Sequence, residues 1–251
     1  MDLGLNGRRA LVSGATRGIG RAIAETLLAE GASVSFCART ADDVADATEA
    51  MSRLGTVHGH VVDAADTDAV RGWVAESIEQ LGGIDIYVHN TSAGPARDLA
   101  GWSANVAVDL MSGVHGVDAA TDALTDGGGV VVTIGTTASA EHFATGANSY
   151  SAVKAAITNW TLGQAQVLGA KGVRCNVVSP GPIYFEGGSW AMIEQHMKPF
   201  FESTQQAHPG GRLGSAQDVA DAVAFVVSDR ARHINGVNLT VDGGFLKRVD
   251  Y

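Results

Sequence analysis

Tyr150 and Lys154 stand four residues apart in the stretch "NSYSAVK". On a helix this spacing puts a phenol and an ammonium one turn apart on the same face. A free phenol ionises near pH ~10. A neighbouring cation favours the phenolate and makes the group more useful as a proton donor and acceptor. Alone, such a pair is more often a surface contact than a proton-transfer device. Two further hydroxyls lie upstream in "IGTT", Thr136 and Thr137. A hydroxyl there could hold the oxygen of a substrate that exchanges a proton with Tyr150.

The elements that would position these groups alternate along the chain. "RRALVSG" (8–14), "ASVSFCA" (32–38), "GHVVD" (59–63), "IDIYVHN" (84–90), "GVVVTIG" (129–135), "VRCNVVSPG" (173–181) and "GVNLTVDGG" (236–244) are apolar, β-branched runs bounded by glycine, proline or polar residues. Between them, apolar residues recur at helical spacing. Examples are Ile19, Ile23 and Leu27, then Val70, Trp73, Val74, Ile78 and Leu81, then a long stretch over 98–125 and another over 148–169. Unbroken apolar strands alternating with amphipathic helices predict an α/β domain with a doubly wound parallel sheet covered on both faces. No linker or repeat divides residues 1–251, which read as one domain. The segment 183–211 reads as a long irregular insertion rich in aromatic and Met residues, the usual makings of a substrate lid.

"SGATRGIG" (13–20) joins the first strand to the first helix. Gly14, Gly18 and Gly20 allow a tight turn and a close approach of backbone to a pyrophosphate. The helix start beyond it, with Thr16, Arg17 and Ile19 in the turn, offers free N–H groups and a positive dipole end. At the end of the second strand, "FCART" carries Ala38 and Arg39 where an acidic residue would bind a ribose 2′-hydroxyl. Arg39, with Arg17 on the same side, favours NADP(H) over NAD(H), because a guanidinium donates two hydrogen bonds to a phosphate. Asp63, at a strand end, is either an acceptor for the adenine amino group or a turn residue.

Composition narrows the partners. Among 251 residues the formal charge is −10, which argues against nucleic acid. No stretch reaches the ~18 apolar residues of a membrane span. The opening "MDLGLNGRRA" lacks the apolar run of a secretory leader. Cys37 and Cys175 form no metal spacing and read as buried reduced thiols, consistent with a cytoplasmic setting. No metal-ligand cluster is visible.

These motifs fall in one order: "SGATRGIG", Asp63, "DIYVHN", Tyr150-x-x-x-Lys154, "NVVSPGPI" and "GVNLTVDGG". Over nearly its whole length the chain resembles the short-chain dehydrogenases/reductases, closest in flavour to the NADP-dependent 3-oxoacyl reductase-like group. The resemblance implies hydride transfer between a nicotinamide and a carbonyl or alcohol carbon. It makes Tyr150 the acid/base and Lys154 the group that lowers its pKa and bonds the nicotinamide ribose. Asn90, Pro180, Gly181 and the Ile183 backbone fall at cofactor-binding positions. The family tends to form homotetramers, or else homodimers.

The chain departs from the family pattern in several places. The usual serine after the fifth strand is replaced by Thr136, next after "TIG", or by Thr137, at the commoner spacing from Tyr150; Ser139 and Ser149 are weaker candidates. Asp109, in "WSANVAVDL", replaces an asparagine that helps hold a water linking the lysine to solvent. Near Lys154 it would make an ion pair or a water-bridged pair. His89 reads as structural. Phe185 replaces a threonine that touches the carboxamide. Lid residues Tyr184, Phe185, Trp190, Met192, Met197, Phe200 and Phe201 point to an apolar substrate. The rival readings are a cofactor-binding sensor or assembly protein with little catalysis, and an NAD-linked alcohol dehydrogenase.

Overall fold

The computed structural model describes residues 1–143 and 146–249. Seven strands form one parallel sheet: β1 (Arg9–Ser13), β2 (Ser33–Ala38), β3 (Val57–Val61), β4 (Ile86–His89), β5 (Val130–Ile134), β6 (Arg174–Pro180) and, after two short strands in the lid region, β9 (Asn238–Val241). Their order is β3-β2-β1-β4-β5-β6-β9. The chain winds outward from β1 to β3, then returns to pair β4 with β1. This reversal opens a crevice at the carboxyl ends of β1 and β4, where doubly wound sheets bind ligands. Central strands β4 and β5 are buried at every position, as expected for a sheet covered on both faces.

Helices α1 (Gly18–Ala29), α2 (Ala41–Met51) and α9 (Ala216–Val227) pack with one sheet face. Helices α3 (Thr67–Leu81), α5 (Ser112–Gly127) and α6 (Ser149–Gly169) cover the other. In α1, Ile23 and Leu27 are fully buried, as their spacing predicts. Helix α3 begins where the Asp66 side chain accepts from the N–H groups of Asp68 and Ala69.

Three expectations are corrected. Strand β3 spans Val57–Val61 rather than 59–63, so Asp63 lies beyond it; Val61 is already exposed at the sheet edge. The helical stretch 98–125 runs unbroken but is not α-helical throughout: α4 (Leu99–Asn105) widens into a π-turn (Val106–Met111) before α5. Apolar periodicity does not reveal an extra residue in one turn. The lid, expected to be irregular, contains α7 (Ser189–His196) and α8 (Lys198–Ala207), flanked by the short parallel pair β7 (Ile183–Tyr184) and β8 (Gly214–Ser215). Gly188 and Pro199 at the helix starts conceal these helices in the sequence, and the aromatic residues that looked scattered meet across them. Trp190 stacks on Phe200 at 5.8 Å, and Phe201 meets Tyr184 edge-on at 6.1 Å.

Candidate active site

The glycine turn runs from the end of β1 into α1. The N–H of Gly14 bonds the Cys37 carbonyl at 2.8 Å, pinning the turn to β2. Asn90, just past β4, donates from Nδ2 to the carbonyls of Ser13 at 3.1 Å and Gly14 at 2.9 Å. It thus ties the turn across the switch point. A Cβ on Gly20 would stand 2.2 Å from the Gly14 oxygen, so only glycine lets α1 approach this closely. Arg17 precedes α1 without a side-chain cap bond, leaving first-turn N–H groups available. Such a bare backbone cradle at a helix start fits a pyrophosphate.

The other cofactor candidates surround this turn. Thr16 and Ile19 are half-buried, and Ile19 packs on the core. Arg39 is exposed at the end of β2. Arg17 Nη1 donates to the lid carbonyl of Gly187 at 3.4 Å, so this guanidinium is engaged with the lid. Asp63 is exposed, and one carboxylate oxygen accepts from Ala65 N–H at 3.0 Å; the turn role is therefore present. Pro180 ends β6, and Gly181 N–H bonds the Val241 carbonyl at 3.0 Å. Ile183 is buried in β7. The ring of Phe185 lies directly over the Cα face of Gly18, so the lid's first residues touch the glycine turn.

The acid/base candidates gather at the carboxyl end of β5. Asn148 caps α6 by accepting from the Ser151 N–H, which sets Tyr150 and Lys154 in its first two turns. The hydroxyl of Thr136 stands beside that of Tyr150, close enough to lower its pKa. Thr136 Oγ1 also accepts from the Ala138 N–H at 3.2 Å, which fixes its rotamer. Thr137 is buried within the 3₁₀ turn Thr137–Ser139. Of the two threonines left open by the sequence, Thr136 is therefore the one facing the phenol.

Lys154 is buried, and its Nζ donates to the Ile134 carbonyl at 3.0 Å. Nζ also lies 3.3 Å from Asp109 Oδ1, a fully buried ion pair. Burial lowers the Lys154 pKa, and Asp109 opposes that shift. Tyr150 departs from expectation. Its pKa is pushed up to about 12, first by burial; the Thr136 hydroxyl lowers it, and the Asp109 charge raises it. The positive charge expected to acidify the phenol is spent on Asp109. Among the described residues no group of acidic, His or Cys side chains is arranged to hold a metal ion.

Sequence reasoning missed the groups that hold Asp109: Asn105, His89 and the Ala93 N–H. The i, i+4 spacing of Asn105 and Asp109 was the available signal. Within the lid, Trp190, Phe200 and Phe201 pack on one another while Met192 and Met197 are exposed.

With this geometry in place, comparison with known proteins decides the family. Residues 14–246 match the family model described as enoyl-(acyl carrier protein) reductase. The chain belongs to the short-chain dehydrogenase/reductase family. It is 32% identical to isoepoxydon dehydrogenase patN of Penicillium expansum, over 97% of this chain and 96% of that one. It is also 32% identical to the 3-oxoacyl-[acyl-carrier-protein] reductase FabG of Salmonella typhimurium, over 96% and 98%. Among solved structures, L-sorbose reductase from Gluconobacter frateurii, complexed with NADPH and L-sorbose, superposes with a TM-score of 0.91 at 25% identity, covering 99% of this chain and 100% of that one. A 7α-hydroxysteroid dehydrogenase complexed with NADH and 7-oxo glycochenodeoxycholic acid superposes at 0.89 with 29% identity, over 99% and 98%. The chain is thus an oxidoreductase working between CH–OH and carbonyl carbons. No helix among the described residues is long and apolar enough to cross a membrane.

Proposed function

We propose that this chain is an NADP(H)-dependent reductase of a small, largely apolar ketone. The observation that carries the reading is the Thr136–Tyr150 hydroxyl pair, one turn from buried Lys154 and beside the glycine turn. Gly14, Thr16, Gly18, Ile19 and Gly20 would bind the pyrophosphate through backbone N–H groups, and Arg39 would meet the 2′-phosphate, with Arg17 joining it on leaving Gly187. Asp63 and Asn90 would border the adenosine side, and Pro180, Gly181 and Ile183 the carboxamide side. When bound, the dinucleotide supplies the hydride.

The residues of the chain do the rest. Thr136 donates to the carbonyl oxygen and holds it against the phenol. As negative charge develops on that oxygen, Tyr150 gives up its proton. A phenol with a pKa of about 12 is fully protonated near neutrality, the form an acid needs. Lys154 would hold the ribose hydroxyls. Asp109 keeps Lys154 in place. Met192 and Met197, exposed on the lid, supply adaptable apolar surface for substrate.

Residues 1–251 form one domain in this reading, with 183–211 as its substrate lid. A homotetramer, or a homodimer, is supported by Leu99, Trp102 and Val106, exposed at helical spacing across α4 and the π-turn, and by Val237 and Leu239 at the β9 edge. Two buried free thiols, Cys37 and Cys175, both held well above their usual pKa by burial, fit a reducing cytoplasmic compartment. The test is Tyr150→Phe with NADPH and a panel of ketones. Turnover should vanish while NADPH binding stays within about 3-fold, since the phenol contributes only in the transition state. Retained turnover would remove Tyr150 from the chemistry.

A further inference from the structure

Asp109 sits in the π-turn, where the helix widens and the regular ladder no longer fixes each residue. Groups from three other places fix it instead. His89 Nε2 lies 3.0 Å from the Asp109 carbonyl. A carbonyl only accepts, so Nε2 carries the proton and the buried Nδ1, without a partner among the described residues, carries the lone pair. Asn105 Nδ2 and Ala93 N–H both donate to Asp109 Oδ2, each at 2.9 Å. Oδ2 thus takes both donors, and among the described residues Oδ1 has only Lys154.

Asn105 also reaches the acid/base helix. Its Oδ1 accepts from Ser149 Oγ at 2.5 Å, and Ser149 immediately precedes Tyr150. The Gly94 carbonyl, 2.9 Å away, and the Asp109 carboxylate only accept, so Nδ2 must face them and Oδ1 faces Ser149. Asn105, Asp109, Ser149 and His89 are all within 1% of full burial. Helix α5 is cut away to admit the imidazole: a Cβ on Gly113 would stand 2.8 Å from His89 Cδ2.

We propose that Asn105 and His89 are positioning residues that bracket Asp109, leave it a single oxygen aimed at Lys154, and tie that pair to the start of the helix carrying Tyr150. The proposal rests on the acid/base reading of Tyr150. Without the Asn105 donor the carboxylate can rotate and share Lys154 between two oxygens. Without the His89 donor the π-turn can shift and carry the carboxylate with it. Among the described residues, the titratable groups that act on Lys154 or feel its charge are Asp109 from the π-turn and His89 from β4, with Tyr150 one turn away on its own helix. Burial first and then Lys154 lower the His89 pKa, and Asp109 opposes them, so the imidazole acts as a neutral donor.

The decisive variant is Asn105→Asp, which keeps the shape and replaces the donor by a second carboxylate against Asp109 Oδ2. Two carboxylates at that distance share one proton. The rate of NADPH-driven ketone reduction should fall about 10-fold or more near pH ~8 and recover as pH falls, while KM for NADPH changes less than about 3-fold. His89→Leu should lower kcat about 10-fold, and His89→Gln, which restores an N–H donor, should recover most of that loss. A purely structural role would lower the melting temperature of these variants and leave the pH profile and the Leu-versus-Gln difference absent. A wild-type pH profile in a folded Asn105→Asp protein overturns the bracket. If that variant does not fold, equal kcat for His89→Leu and His89→Gln overturns it. Tyr150→Phe is run alongside. If Tyr150→Phe keeps turnover, the acid/base reading fails; if it is inactive and the bracket variants behave as wild type, the bracket alone fails.

Discussion

Asp109→Asn removes one buried charge and almost no volume, so its effect is electrostatic. The 3.3 Å pair with Lys154 corresponds to about 5 kcal/mol of attraction at an effective dielectric of ~20. The new amide cannot replace it. Its oxygen is needed where Oδ2 accepts from the Ala93 N–H and Asn105 Nδ2. Its NH₂ group then faces the Lys154 ammonium, donor against donor; the flipped amide instead sets NH₂ against the two donors. Tyr150 feels Asp109 as a charge that raises its pKa. An interaction half as strong, about 2.5 kcal/mol, amounts to nearly two pH units. Some of that is offset as Lys154, left without its partner, loses part of its own charge at high pH. The alkaline limb of ketone reduction, where Tyr150 loses its proton, should therefore fall from about 12 by roughly one to two units. The assay is kcat for NADPH-driven reduction across the alkaline range, with melting temperature recorded at each pH so that unfolding is not mistaken for titration. A limb that stays in place, or moves up, refutes the coupling of Asp109 to Tyr150.

The threonine assignment is checked by truncating each hydroxyl. Thr136→Ala should cost about 10²-fold in kcat and Thr136→Ser far less, whereas Thr137→Ala should leave kcat near wild type; the reverse pattern would hand the role to Thr137. Arg39→Ala should raise the Kd for NADPH about 10-fold or more, with little change for NADH, because only the 2′-phosphate loses a charge-assisted bond; equal losses would leave Arg39 a surface residue. His89 predicts acid sensitivity. Its folded pKa, lowered to about 4 by burial and by Lys154, lies below the unfolded value near 6.5. Its contribution is present above pH ~6.5 and is lost as pH falls through ~4, about 3 kcal/mol in all. Urea melts should show that slope in the wild type and a shallower one in His89→Gln; identical slopes would contradict it.

Much of this molecule is legible in its sequence, for a physical reason. The strand runs, the glycine turn and Tyr150-x-x-x-Lys154 are local patterns. Burial on both sheet faces demands continuous apolar strands, a phosphate cradle demands glycine, and helical geometry places residues four apart on one face. The parallel, doubly wound sheet comes from those patterns alone. The lid helices were hidden because they are held by aromatic contacts between residues such as Trp190 and Phe200 rather than by a clear periodicity.

What only the tertiary structure decided is where the charges go. Sequence places Lys154 near Tyr150 and raises the possibility of Asp109 near Lys154, but no spacing tells which of the two neighbours the ammonium serves. The π-turn, which has no periodic signature, brings the Asp109 carboxylate to 3.3 Å from Nζ. Asn105 and His89, remote from Lys154 in sequence, hold it there. Likewise both threonines carry the same hydroxyl, and only the turn after β5 faces one of them toward the phenol. Spacing along a helix fixes which side chains share a face; the balance of charge at Tyr150 depends on segments that meet only when the sheet and its covering helices close around them.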